Sequence, residues 1–195
     1  MNPGDVVNVV GRTLGLSLAA GVNLYATVAI LGLVTRFGLV DLPSQYQIFD
    51  NNWIIAAAIV LYLVEFVADK IPWVDTIWDA VHTVIRPIGG ALIAVASIGH
   101  AQPTFQAMAA IAGALVASSS HAAKAGTRVV ANTSPEPFSN WALSFAEDGF
   151  VIALGLIALT HPVAAAIVVV VVLAVIVAVI TWLLRQLRYR RRARS

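Results

Sequence analysis

The sequence predicts an all-α integral membrane bundle of about six transmembrane helices, with a short amphipathic or re-entrant helix near residues 73–86. Three observations carry that prediction. Apolar residues make up 59% of the 195 positions and charged residues only 11%, with mean hydropathy +0.86; soluble domains carry about 25% charge, so this chain cannot coat a globule in water. Val163 to Leu184 forms a 22-residue stretch without a charge, the length a bilayer core of about 30 Å requires. Lys and Arg also distribute unevenly along the chain. There is no cysteine, which excludes disulfides, thiolate nucleophiles and Cys-ligated metals.

Taken in order, the expected spans are Leu14–Val34, Trp53–Ala68, Ile88–Gly99, Phe105–Ala123, Trp141–Leu159 and Val163–Leu184. The first and last are long and uncharged. Ile88–Gly99 is short, and must either borrow polar neighbours or dip in and return. Gly15, Ser17, Gly21 and Gly32 are small enough to let another helix come close. No cleavable leader is expected: Asp5 and a lone Arg12 precede an apolar stretch long enough to remain as a helix. Six arginines crowd the last eleven residues. Residues 1–184 therefore read as one transmembrane domain and 185–195 as a basic cytoplasmic tail. That tail would touch anionic lipid headgroups; no nucleic-acid partner is expected, and a homo-oligomer is compatible with the composition. With six crossings and both termini inside, eleven of the twelve basic residues fall on the cytoplasmic side and only Arg36 outside, as positive-inside bias requires.

Ionisable groups inside a membrane are expensive and mark function by default. Three groups stand out. Glu65 and Asp69 lie four apart on one helical face, with Lys70 next to them to neutralise one or to snorkel outward. Asp75, Asp79, His82 and Arg86 fall within about 60° of arc at helical spacing, closed by Pro87. That stripe either faces water from the membrane surface or lines a cavity, where Asp75, Asp79 and His82 suit a divalent cation; no other cofactor is expected. The third group is His121, Lys124 and Arg128 on one helix and Glu147 and Asp148 on the next, separated by Ser134-Pro135-Glu136-Pro137, where prolines break the helix. Lys124 and Arg128 are the nearest partners for Glu147 and Asp148. All three groups map to the same membrane side, so their side chains are expected to meet in one wet pocket open to the cell interior.

Several of these residues form a recognisable set: Gly21-Val22-Asn23-Leu24-Tyr25-Ala26-Thr27; Glu65-Phe66-Val67-Ala68-Asp69-Lys70-Ile71-Pro72 with Asp75, Trp78, Asp79 and His82; and His121, Lys124, Arg128, Asn132 and Ser134 to Pro137 through Glu147-Asp148. Over about residues 10–160 the chain resembles the domain-of-unknown-function family 4126 of bacterial polytopic membrane proteins. The resemblance implies a bacterial cytoplasmic membrane and a helical fold, and supplies no substrate. The last helix matches the family only in hydrophobicity.

Three functions fit these residues. A small transporter or channel for a cation or protons would use Glu65, Asp69, Asp75, Asp79, His82, Glu147 and Asp148 to bind or pass the ion. Lys70, Arg86, His121, Lys124 and Arg128 would then balance charge or hold an anion. A membrane-embedded metal-dependent enzyme or binding protein acting on phospholipid headgroups is the second, although no GxSxG, HExxH, Walker A or Rossmann motif is present and no catalytic residue is nominated. A membrane scaffold with internally paired charges is the third.

Overall fold

The computed structural model describes residues 3–133 and 138–192. Among these there are seven α-helices and no strand: α1 Pro3–Val22, α2 Leu24–Arg36, α3 Asn52–Ala68, α4 Pro72–Ile98, α5 Pro103–Ala131, α6 Phe138–Thr160 and α7 Pro162–Arg192, with a 3-10 helix at Ser44–Phe49. Four of them, α1, α4, α6 and α7, are long and apolar enough to cross a membrane, and α2 and α3 are shorter apolar helices. Polarity is inverted relative to a soluble protein. Trp73, Ile77, Val81, Val84 and Ile88 of α4 are exposed, while Asp75, Asp79, His82 and Arg86 on its other face are buried. The prolines at 135 and 137 lie outside the described residues.

Two expectations about the elements change. The uncharged stretch Leu14–Val34 is not one span. Asn23 adopts an extended backbone (φ −148°, ψ 101°), and its Oδ1 accepts from the Ala26 N–H at 2.9 Å, so α1 ends and α2 begins there. The chain then folds back. Gly15 of α1 lies against Ala158 of α6, and Ile30 of α2 lies against Gly155, less than one turn away; Gly11 meets Pro162, and Gly32 meets Phe49 and Ile55. Thus α1 and α2 form a V whose tip reaches mid-bundle. Reversal at mid-depth is tolerated because the freed polar groups find partners inside the protein: Ser120 Oγ donates to Leu18 O at 2.9 Å and Arg86 Nη1 to Gly21 O at 3.4 Å. A methyl on Gly21 would collide with the Ala117 carbonyl of α5, so the tip needs glycine to seat this closely.

The second change is in α4. Pro87 does not close an amphipathic segment; the helix runs through it to Ile98, so the charged stripe and the apolar Ile88–Gly99 run belong to one helix. A mid-helix proline costs about 3 kcal/mol in isolation. Here α5 packs along α4, with Gly90 and Gly113 so close that a Cβ on either would strike the other's carbonyl, and this packing keeps the helix continuous past the lost hydrogen bond.

The core lies around α1, whose Leu16, Leu18, Ala19 and Ala20 are fully buried among α4, α5, α6 and α7. At one end of the bundle Arg12 Nη2 donates to Leu159 O at 3.2 Å, its guanidinium lies 5.8 Å from the Tyr46 ring, and Arg36 pairs with Asp50 at 2.8 Å. The opposite end holds the α3–α4 link, the C-terminus of α5, the N-terminus of α6 and the second half of α7. The start of α1 and the end of α7 therefore lie at opposite ends of the bundle. The expected single crossing at Leu14–Val34 is thereby corrected, because the α1–α2 V returns to the end of the bundle it left.

Candidate functional site

Four helices and the tip of the V bring the charged groups together. The i,i+4 spacing of Glu65 and Asp69 aims both inward from the last turn of α3, where they are 0% and 1% exposed. The stripe of α4 contributes Asp75, Asp79, His82 and Arg86; the face of α5 contributes His121, Lys124 and Arg128; α6 contributes Glu147 and Asp148. Glu65, Asp69, Asp75, Asp79, Arg86, His121, Lys124, Arg128 and Glu147 meet in one connected set, whereas His82 and Asp148 at its edge bond to Tyr25 and Asn23.

Three cations organise the cluster. Arg86 Nη2 binds Glu65 Oε1 at 2.7 Å, and its Nη1 lies 3.4 Å from Asp79 Oδ1 and donates to His121 Nδ1 at 2.6 Å. Lys124 Nζ reaches Glu65 and Asp69 at 3.1 Å each and Glu147 at 3.5 Å. Arg128 holds Glu147 through Nε and Nη2, Asp69 Oδ2 at 3.0 Å and the Asp69 carbonyl at 2.7 Å, with Asp75 at 3.9 Å. Planar guanidinium forks suit such divided partners.

The two imidazoles are fixed by their neighbours. Because Arg86 can only donate, His121 accepts at Nδ1, and its Nε2–H faces Thr83 Oγ1 at 3.1 Å while that hydroxyl donates to Asp79 O. His82 donates from Nδ1 to Trp78 O at 2.7 Å and accepts at Nε2 from the Tyr25 hydroxyl at 2.9 Å. Both ring nitrogens of His82 are engaged. Among the described residues no three His, Asp or Glu side chains come together as a metal-binding set. The expectation that Asp75, Asp79 and His82 suit a divalent cation therefore finds no geometric support.

Two further pairings differ from expectation. Lys70 neutralises neither Glu65 nor Asp69. Its Nζ sits 3.1 Å from the Phe66 ring centroid and donates to Phe66 O and Ser144 Oγ, because Lys124 and Arg128 approach the carboxylates from the interior. Desolvation holds Lys70 below the ordinary lysine range, against the pull of Asp148 and Asp69. Lys124 and Arg128 take Glu147 as expected but not Asp148, whose Oδ1 accepts from Asn23 Nδ2 at 3.3 Å.

Asn23 and Tyr25 at the V tip, and Asn132 with its 2.8 Å hydrogen bond to Asp75, are site residues that charge-based reading passed over. The available signal was an asparagine midway in an uncharged 21-residue stretch. The tip also adds backbone dipoles of the right sign. The carbonyl end of α1 faces Arg86, and the N-terminal end of α2 stands next to Asp148 through Asn23.

Charge does not balance. Glu65, Asp69, Asp75, Asp79 and Asp148 are buried, against Arg86, Lys124 and Arg128. Adding the half-buried Glu147 and Lys70 keeps a surplus of two carboxylates. Neither oxygen of Asp79 receives a hydrogen bond. A cavity of about 380 Å³ adjoins the cluster, lined mainly by apolar side chains of α5, α6 and α7 and reaching Lys124 and Glu147. Glu65 and Asp79 do not line it, so it is not the pocket expected to join all the charged groups.

The pattern defining the domain-of-unknown-function family DUF4126 matches residues 10–182. The chain belongs to the DUF4126 family. The DUF4126 match takes in most of α7, which the sequence comparison of motifs had left outside the resemblance. No curated protein and no solved structure matches the chain.

Proposed function

We propose that this multi-pass membrane protein carries a cation or protons across the bacterial cytoplasmic membrane, with the acidic cluster toward the cytoplasm. The surplus of two carboxylates in the buried cluster carries the reading. An uncompensated charge in a low-dielectric interior is costly enough that the group takes a proton or a counter-ion instead, and Asp79, with both oxygens free of hydrogen bonds, is the position best suited to exchange one. A helix interrupted at mid-bundle with both ends turned to the charges supports the same reading, since broken helices recur at transporter binding sites. The cytoplasmic assignment rests on Lys70, Lys124, Arg128 and the arginines of α7 at one end, against Arg12 and Arg36 at the other. Under it the N-terminus faces outward, and Arg185 and Arg188 lie against anionic headgroups.

Proteoliposomes loaded with a pH-sensitive or cation-sensitive dye test the proposal. The protein is expected to dissipate an imposed proton or cation gradient, and Asp79→Asn, which mimics a permanently protonated acid, to reduce that flux at least tenfold while keeping the fold. Folded protein that leaves every gradient intact would overturn it.

A second reading, an internally locked scaffold, draws on the carboxylate partners found by Arg86, Lys124 and Arg128. It expects Asp79→Asn to change stability without any flux to lose.

A further inference from the structure

We propose that the groove between α5, α6 and α7 binds an amphiphilic organic cation, an ammonium or phosphonium carrying an apolar body, with Glu147 as its counter-ion. This deepens the cation reading above by naming a substrate class, and rests on it.

The argument starts from what the groove offers. Its volume of about 380 Å³ lies within the range of small-molecule sites. Leu143 and Phe150 of α6 and Val172 and Val175 of α7 make its walls, and an aromatic ring beside a carboxylate favours a cation. Val171 and Val175 are exposed on the outer face of α7, so the groove opens toward lipid and not toward water. An inorganic ion would have to shed its hydration shell to enter by that route. A cation with an apolar body partitions through it.

Charge selects the sign. Lys124 at the inner end is already faced by Glu65, Asp69 and Glu147, which leaves no unmatched positive charge for an anion. The Glu147 side chain is 11% exposed, more than those of Glu65, Asp69, Asp75 and Asp79. Its partners Arg128 and Lys124 both also hold Asp69, Arg128 approaches Asp75 and Lys124 reaches Glu65, so both cations stay paired when Glu147 turns to a ligand. Depth selects against a phospholipid. Glu147 lies nine residues into α6, about 13 Å along the helix. A zwitterionic headgroup drawn to that depth would bring its phosphate against the acidic surplus.

The probe is tetraphenylphosphonium, with tetraphenylborate as the same shape of opposite charge, titrated against the full chain in nanodiscs. Saturable phosphonium binding is expected, with borate at least tenfold weaker. Glu147→Gln and the groove-filling Val175→Trp are each expected to weaken phosphonium binding at least tenfold. Val175 faces lipid, so Val175→Trp is expected to retain the parent unfolding midpoint. Equal binding of phosphonium and borate, or phosphonium affinity unchanged in Val175→Trp, would overturn the inference. The two proposals separate cleanly: Asp79-dependent proton flux in a protein indifferent to phosphonium removes the groove ligand and leaves transport standing. Phosphonium binding without flux does the reverse.

Discussion

Arg86 is 0% exposed, yet it carries a charge. Its presence there is explained by what would be left without it: Glu65 Oε1 loses a 2.7 Å partner and Asp79 the cation 3.4 Å from its Oδ1. Removing one member of a buried pair typically costs 3–5 kcal/mol because the other charge remains. Arg86→Met is therefore expected to destabilise the protein by about 3–5 kcal/mol, read from thermal unfolding in detergent. Arg86→Lys should recover only part of this, since one ammonium cannot span Glu65, Asp79 and His121 as a fork does. A neutral outcome for Arg86→Met would mean that Lys124 at 3.1 Å alone suffices for Glu65, and the ion-pair account of Arg86 would be wrong. At this scale most of the site was legible beforehand. The 4-3-4 spacing of Asp75, Asp79, His82 and Arg86 specifies one face, and all four are buried on it. Partner identity was not legible. Lys70 adjoins Asp69 in sequence but turns to Phe66 and Ser144, whereas Lys124, from two helices away, takes the carboxylates. Proximity in sequence says little about pairing across helices.

Elements were harder to read where hydrophobicity is uniform. Leu14–Val34 contains no charge to mark a turn, and hydropathy has no direction, so a V and a single span look alike. Asn23 decides between them, because its side chain caps α2 and reaches Asp148. Asn23→Ala should cost about 1 kcal/mol for the lost cap and a further amount for leaving Asp148 without its amide donor. Asn23→Ser retains a capping oxygen but is too short to serve Asp148, so it should recover the first part only. Equal unfolding midpoints for the parent and Asn23→Ala would remove the tip from the site. Pro87 illustrates the opposite error. A proline is a strong local stop, but the contact between α4 and α5 at Gly90 and Gly113 outweighs it, and a local rule loses to a tertiary one.

Across the whole molecule, the V changes how the basic residues are counted. Lys70, Lys124, Arg128 and the end of α7 share one end of the bundle, whereas Arg12 joins them in a positive-inside count only if Leu14–Val34 crosses. In the fold Arg12 lies at the other end with Tyr46 and Leu159, near Arg36 in the bundle's vertical order. One misread crossing thus moves a single basic residue, Arg12, in that count. The consequence is directly measurable, because the chain has no cysteine of its own. A thiol introduced as Asp5→Cys near the start of α1 should react with a membrane-impermeant maleimide added outside intact cells. One introduced as Arg188→Cys near the end of α7 should react only after the membrane is opened. Labelling of both from the same side would restore a single crossing at Leu14–Val34 and would take Asn23, and the helix ends it turns toward Arg86 and Asp148, out of the interior.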